Sequence, residues 1–227
     1  MNKKTSVIIT VVVVLFLAFG FLLYKISPPP VSALKLKEFD FSQVKQVDRP
    51  RDVTAEDHVR GNREAKNTLV VYEDIQCPAC RAFNPTLQQL PSLLKDTKVV
   101  FRHYPLYPTP HMNALSAAYA SEAAGAQGKF WEFVDMMYER QNEWSNEKNP
   151  LEKMVEIAAA AGVSNIEQFK KDILESKYSE KIQADNFEAV GVGADATPTL
   201  MFNGTKIKLT SGTLEDLTKQ VEPLYIK

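Results

Sequence analysis

The chain has 227 residues, of which 44% are hydrophobic, 10% aromatic and 24% charged, the balance of an ordinary folded soluble domain. Its formal net charge of −1 offers no basic field, so no nucleic acid is expected among its partners.

In chain order, the first element is an apolar run. After "MNKK", residues 5–24, "TSVIITVVVVLFLAFGFLLY", carry no charge before Lys25. Twenty helical residues span about 30 Å, the thickness of a bilayer's hydrocarbon core, and a run apolar on every face is not a half-buried core helix. Because it exceeds the usual apolar stretch of a signal peptide, residues 1–25 read as an uncleaved, single-pass membrane anchor. Lysines flank the run on both sides (Lys3 and Lys4, then Lys25, Lys35 and Lys37), so the positive-inside rule does not orient it. Residues 26–50 open with Pro28, Pro29 and Pro30 and read as a linker with a stiff, extended start. Residues 51–227 are long enough for one domain with its own core.

Within that domain, "NTLVVYED" (67–74) predicts a buried strand. Pro78 to about Lys95 predicts a helix with Leu87, Leu90, Leu93 and Leu94 on one face, and "KVVFRHYPL" (98–106) a second strand broken at Pro105. A strand, helix and strand with short joints make a βαβ unit, hence parallel strands. Helices follow over 113–124, around Phe130–Met137, around Leu151–Ala158 and over 165–187. "TPTLMF" and "TKIKLT" then flank Asn203-Gly204, a strong two-residue hairpin signal. Thr213 and Asp216 begin a last helix as a capping box with Asp in place of Glu. The order is βαβ, a helical insertion over about 112–190, then ββα.

Both cysteines, Cys77 and Cys80, fall in "DIQCPAC" where strand becomes helix. Pro78 suits the first helical position, which puts Cys77 at the helix N-terminus, where unsatisfied N–H groups and the helix dipole favour a thiolate. Cys80 sits one turn further, within disulfide reach. Three uses compete. A structural staple encloses too short a loop to stabilise much. A zinc site needs His58, His103 or His111 to complete it, and the spacing C-x2-C-x22-H-x7-H is not a usual one, although the fold could still assemble it. A redox pair fits best.

At these residues the chain resembles the DsbA-like, exported branch of the thioredoxin-fold thiol–disulfide oxidoreductases. The resemblance runs from about His58 to the C-terminus, on "GNREAKNTLVVYEDIQCPAC", "FRHYPL", "HMNALSAAYASEAAGAQGKFWEFVDMMYE" and "GVGADATPTLMFNG", with Pro85 eight residues after Cys77. It implies a thioredoxin fold carrying a helical subdomain, with Cys77 attacking, Cys80 resolving, and Pro78 and Ala79 between them. Thr197-Pro198 would face the cysteines through a cis peptide bond. Asp74 matches an acidic position that could handle protons for Cys80, and Glu73 is a weaker match for that role. Apart from the Cys77–Cys80 disulfide no cofactor or metal is expected.

The implied activity is the introduction of disulfides into exported proteins, with a membrane partner of the DsbB or VKOR type as re-oxidant. An oxidising compartment suits such chemistry, which places the catalytic domain extracytoplasmic and the N-terminus cytoplasmic. Ala79 stands where many strong oxidases of the branch have histidine, so reductase or isomerase activity is the alternative. From another class, the alternative is a non-catalytic zinc- or peptide-binding module.

Overall fold

The computed structural model describes residues 39, 41–208 and 213–226. The anchor and most of the linker lie outside them; among the described residues no helix is long and apolar enough to cross a membrane. Among the described residues five strands form one sheet: β1 (His58–Arg60), β2 (Asn67–Glu73), β3 (Thr97–His103), β4 (Thr199–Phe202) and β5 (Thr205–Ile207). Their order is β1-β3-β2-β4-β5. β2 and β3 run parallel, in register from Asn67 opposite Thr97 to Glu73 opposite His103. β2–β4, β4–β5 and β1–β3 are antiparallel. The parallel pair is the one joined by a helix, α1 (Pro78–Leu93), as a crossover requires.

The period-2 alternation of the central strands builds the two faces. Leu69, Val71, Val99, Leu200 and Phe202 point to one side, where Phe83, Leu87 and Leu90 of α1 meet Leu217 and Val221 of α8 (Leu214–Val221). Val70, Tyr72, Val100 and Met201 point to the other, against Ala189 of α7 (Ser179–Gly191). Leu93, expected on the apolar face of α1, is 48% exposed; Leu90 and Leu94 close the contact instead.

Between β3 and α7 lie α2 (Ala114–Gly125), α3 (Phe130–Glu139), α4 (Gln141–Trp144), α5 (Leu151–Ala160) and α6 (Ile166–Leu174). α2 is buried on every side, Ala114 through Ala124, because alanines let neighbouring helices close on it from all directions. Phe133, Met137, Trp144, Met154, Ile157, Phe169 and Ile173 complete that core, which also takes in Ile75, Cys77 and Cys80. The helical insertion therefore packs directly onto the cysteine turn.

Four further details differ from the sequence reading. The single helix expected over 165–187 is two, α6 and α7. Ser176 between them has φ +51°, and the N–H of Lys177 returns to the carbonyl of Asp172 at 3.1 Å, a helix stop of the Schellman type. β3 ends at His103, before Pro105. β1 went unforeseen: three edge residues carry too little pattern to register. Residues 45–50, at the end of the stretch read as a linker, lie along α7, where the Lys45 carbonyl faces Gly191 and the Val47 N–H reaches the Gly191 carbonyl at 3.0 Å. The hairpin and cap expectations hold. Asn203 and Gly204 both have positive φ, +47° and +85°, the type I′ geometry, and the Thr213 side chain accepts from the Asp216 N–H.

Candidate active site

β2 delivers its last residue, Glu73, to the edge of the sheet, and Asp74 turns the chain. The Asp74 carbonyl accepts the Cys77 N–H at 2.9 Å, and its Oδ1 accepts the Gln76 N–H at 2.7 Å. This Asx-type turn ends the strand and starts α1. Cys77 is the N-cap, extended at φ −68° and ψ 125°, with Pro78 at the first helical position. Its sulfur makes no full capping hydrogen bond, though the first-turn N–H groups of Ala79 and Cys80 lie near enough to favour its charge. Both cysteines are unpaired thiols; Cys77 is 7% exposed and Cys80 fully buried.

Thr197-Pro198 reaches the same place from the loop before β4. The Cys77 thiol donates to the Thr197 carbonyl at 3.4 Å, and the Thr197–Pro198 peptide bond is cis. The structure thus assembles Cys77, Pro78, Ala79, Cys80 and Thr197-Pro198 into one cluster from two elements 120 residues apart.

The electrostatics separate the two sulfurs. The Cys77 thiol is pulled down to about 5, chiefly by a hydrogen bond from Cys80. Burial opposes this, while the Thr197 side chain and the N–H groups of Cys80 and Ala79 add to it. The Thr197 hydroxyl is otherwise buried without a partner. Cys80 is driven the other way, well above the ordinary thiol value, first by burial, then by its bond to Cys77 and by the charges of Glu73 and Cys77.

Asp74 and Glu73 are both 1% exposed, but they are used differently. Asp74 is saturated: besides the Gln76 N–H, its Oδ2 accepts from Leu106 N–H at 2.9 Å and lies 2.6 Å from Nδ1 of His111. Glu73 has one partner, the Tyr138 hydroxyl, which donates to Oε2 at 3.0 Å; Oε1 is buried and bare. Burial pushes the Glu73 carboxyl up to about 8, against the pull of Tyr138.

The insertion braces this turn. Gln141 of α4 donates to the carbonyls of Ile75 and Cys77 at 2.9 and 3.2 Å. Gln76 spans the Ser145 carbonyl and the Asn113 N–H at 2.6 and 2.7 Å. Tyr138, Gln141 and His111 went unread as site residues because no local pattern distinguishes them; "FRHYPL" and "HMNAL" had pointed only to family and metal. The three histidines that a zinc site would draw on are spoken for by carboxylates: His58 and His103 both meet Glu122, at 3.0 and 2.8 Å, and His111 meets Asp74.

Residues 53–223 match the thioredoxin family. The chain belongs to that family. The fold is also that of solved DsbA-type proteins. Bacillus subtilis BdbD in its oxidised form superposes with a TM-score of 0.66 at 22% identity, over 79% of this chain and 96% of the other. The thiol–disulfide exchange protein α-DsbA2 of Wolbachia pipientis gives 0.61 at 21% identity, over 75% and 88%. Among curated proteins, a Na(+)/H(+) antiporter NhaA 1 of Mycolicibacterium vanbaalenii is 36% identical over 204 residues, 86% of this chain but 30% of its own length. This chain therefore spans less than a third of the length of the curated relatives it matches, between 22% and 30%.

Proposed function

We propose that this thioredoxin-family protein is a membrane-anchored, extracytoplasmic thiol–disulfide oxidoreductase that introduces disulfides into exported proteins through Cys77 and Cys80. The observation that carries the proposal is the contrast between the sulfurs: Cys77 at a helix N-terminus and held near 5, Cys80 beneath it and held protonated.

In the oxidised enzyme a substrate thiolate attacks Cys77, the sulfur nearer the surface, and Cys80 leaves. A second substrate thiolate then displaces Cys77, whose stabilised thiolate is a good leaving group. The sum is two substrate thiols oxidised to one disulfide, with Cys77 thiolate and Cys80 thiol formed and one proton released. In the reverse sense Cys80 must lose its proton before it can resolve a mixed disulfide on Cys77. Glu73, with a bare buried oxygen and a carboxyl raised to about 8, toward the range of a thiol, suits that transfer better than Asp74, whose oxygens are taken. Thr197-Pro198 offers backbone beside Cys77 along which an extended substrate segment can lie, which favours sequence-tolerant recognition. Residues 5–24 supply the anchor, and a membrane re-oxidant of the DsbB or VKOR type would regenerate the disulfide.

Two measurements test this. Oxidised full-length protein should transfer its disulfide stoichiometrically to a reduced, unfolded test protein, and Cys77→Ser should abolish the transfer. Protease added to intact spheroplasts should digest the domain. An inert disulfide, or a domain that survives protease, would refute the corresponding half of the proposal.

A further inference from the structure

The chain leaves β3 at His103 and returns to α2 through residues 104–113, "YPLYPTPHMN". This loop is fastened to the cysteine turn at three points. Leu106 N–H and His111 Nδ1 both bond to Asp74 Oδ2, and Asn113 N–H bonds to the Gln76 side chain. His111 also donates its N–H to the Leu106 carbonyl at 3.3 Å and accepts the Ala114 N–H at 3.2 Å, so its backbone is held from both ends. Its side chain is 13% exposed. Asp74 is also the residue whose carbonyl receives the Cys77 N–H. Asp74 therefore holds the His111 imidazole with its side chain and the backbone N–H of Cys77 with its main chain.

We propose that His111, held by Asp74, is a positioning residue that supplies positive charge to the rim of the site and so favours the Cys77 thiolate over the disulfide. The inference rests on the oxidoreductase reading and deepens it. Ala79 leaves the intervening dipeptide without a cation, and the loop after β3 provides one from 34 residues downstream of Cys77.

The charges acting on His111 are Asp74 and Cys77. Its hydrogen bond to Asp74 is the main influence raising it above the ordinary imidazole value, burial opposes, and Cys77 adds in the same direction. On the side of Cys77, the remaining acid is Glu73, which is neutral below about 8. Without the imidazolium, Asp74 would keep its bonds from the Gln76 and Leu106 N–H groups but face the thiol with no cation between, and like charges disfavour ionisation of the thiol. The imidazolium cancels Asp74 and leaves the helix N-terminus unopposed. Because such coupling is reciprocal, the thiolate must hold the proton on His111 as firmly as His111 holds the thiolate.

The full-length chain in mild detergent provides the test. The imidazole titrations of oxidised and reduced wild-type protein are followed by NMR, with His111 assigned by the resonance lost in His111→Asn. His111 is expected to titrate at higher pH in the reduced protein; identical titrations would overturn the proposal. In the reduced His111→Asn variant, which can still bond to Asp74, the thiolate absorbance of Cys77 is expected to titrate at higher pH, with a thiolate fraction about three- to tenfold lower near pH 5. Asp74→Asn should shift it less, since it removes the negative charge along with the pair. Superimposable Cys77 titrations in wild type and His111→Asn would likewise overturn it. Neither titration requires turnover. A protein inert in exchange that shows both shifts upholds the pair and removes only the oxidoreductase reading, whereas active exchange without the shifts removes only the pair.

Discussion

Tyr138 of the helical insertion donates its phenolic hydrogen to Glu73 at the end of β2, at 3.0 Å, and leaves the second carboxyl oxygen bare inside the protein. One hydrogen bond does not compensate a buried carboxylate, so burial holds Glu73 neutral up to about 8. It sits within range of both sulfurs: its charge raises Cys80 and the Cys77 charge raises it.

This gives a pH dependence of stability with two opposed parts in the reduced protein. The Cys77 thiol is lowered to about 5 from an unfolded value of about 8.5. It therefore adds stability as pH rises from about 5, fully present above about 8.5 and lost as pH falls through 5. Glu73 is raised to about 8 from about 4.3 unfolded, so its contribution is fully present below about 4.3 and is lost as pH rises through 8. The two nearly offset between pH 5 and 8. Glu73→Gln removes the second part alone. The stability of the reduced variant relative to wild type, measured by urea unfolding, should climb with pH between about 4.3 and 8, by a few kcal/mol at most. A difference independent of pH would show that Glu73 is ionised at neutral pH.

The same substitution should slow the resolving step. If Glu73 takes the proton from Cys80, the mixed disulfide on Cys77 should persist about tenfold longer or more in Glu73→Gln. Quenched-flow trapping of that intermediate checks this; an unchanged lifetime would assign the proton to solvent.

Alkylation should separate the cysteines. Only thiolate reacts appreciably, so near pH 6 iodoacetamide should label Cys77 in the reduced protein and leave Cys80 unmodified, as read by peptide mass spectrometry. Equal labelling would contradict the burial and hydrogen bonding that distinguish them.

Trapping should be equally asymmetric. Cys80→Ser leaves the attacking sulfur without its resolver and should accumulate mixed disulfides with reduced substrate, whereas Cys77→Ser should accumulate almost none. Non-reducing gels of the two variants read this directly.

Away from the site, Arg102 is fully buried. It bonds to both Asp57 oxygens at 3.2 Å, to Glu188, and to the Arg51 carbonyl at 3.1 Å. It thereby ties β3 to the segment before β1 and to α7. Arg102→Met would leave two acids under-compensated and should cost about 3–5 kcal/mol by urea unfolding, with the thiol chemistry of Cys77 unchanged in protein that remains folded. A cost below about 1 kcal/mol would mean that Arg51 and solvent take over the pairing.

What the sequence determined by itself is whatever depends on near neighbours. The β-branched run before Cys77, Pro78 at the first turn and Asn203-Gly204 between two strands specify β2, the start of α1 and the β4–β5 hairpin, because dihedral preference, side-chain alternation and capping act over a few residues. The cysteine spacing and its place at a helix start already pointed to redox chemistry. The stop at Ser176 was not legible, since a non-glycine residue at positive φ leaves no compositional mark. Nor was the division of labour between adjacent acids. Asp74 is saturated by Leu106 and His111, 32 and 37 residues away, and Glu73 meets Tyr138 at a separation of 65. Both are acids at the end of one strand, and the pleat sends their side chains into different surroundings. Only the packing of the insertion onto the sheet decides which carboxyl is satisfied and which is left bare, because burial and hydrogen-bond partners are set by residues distant in the chain.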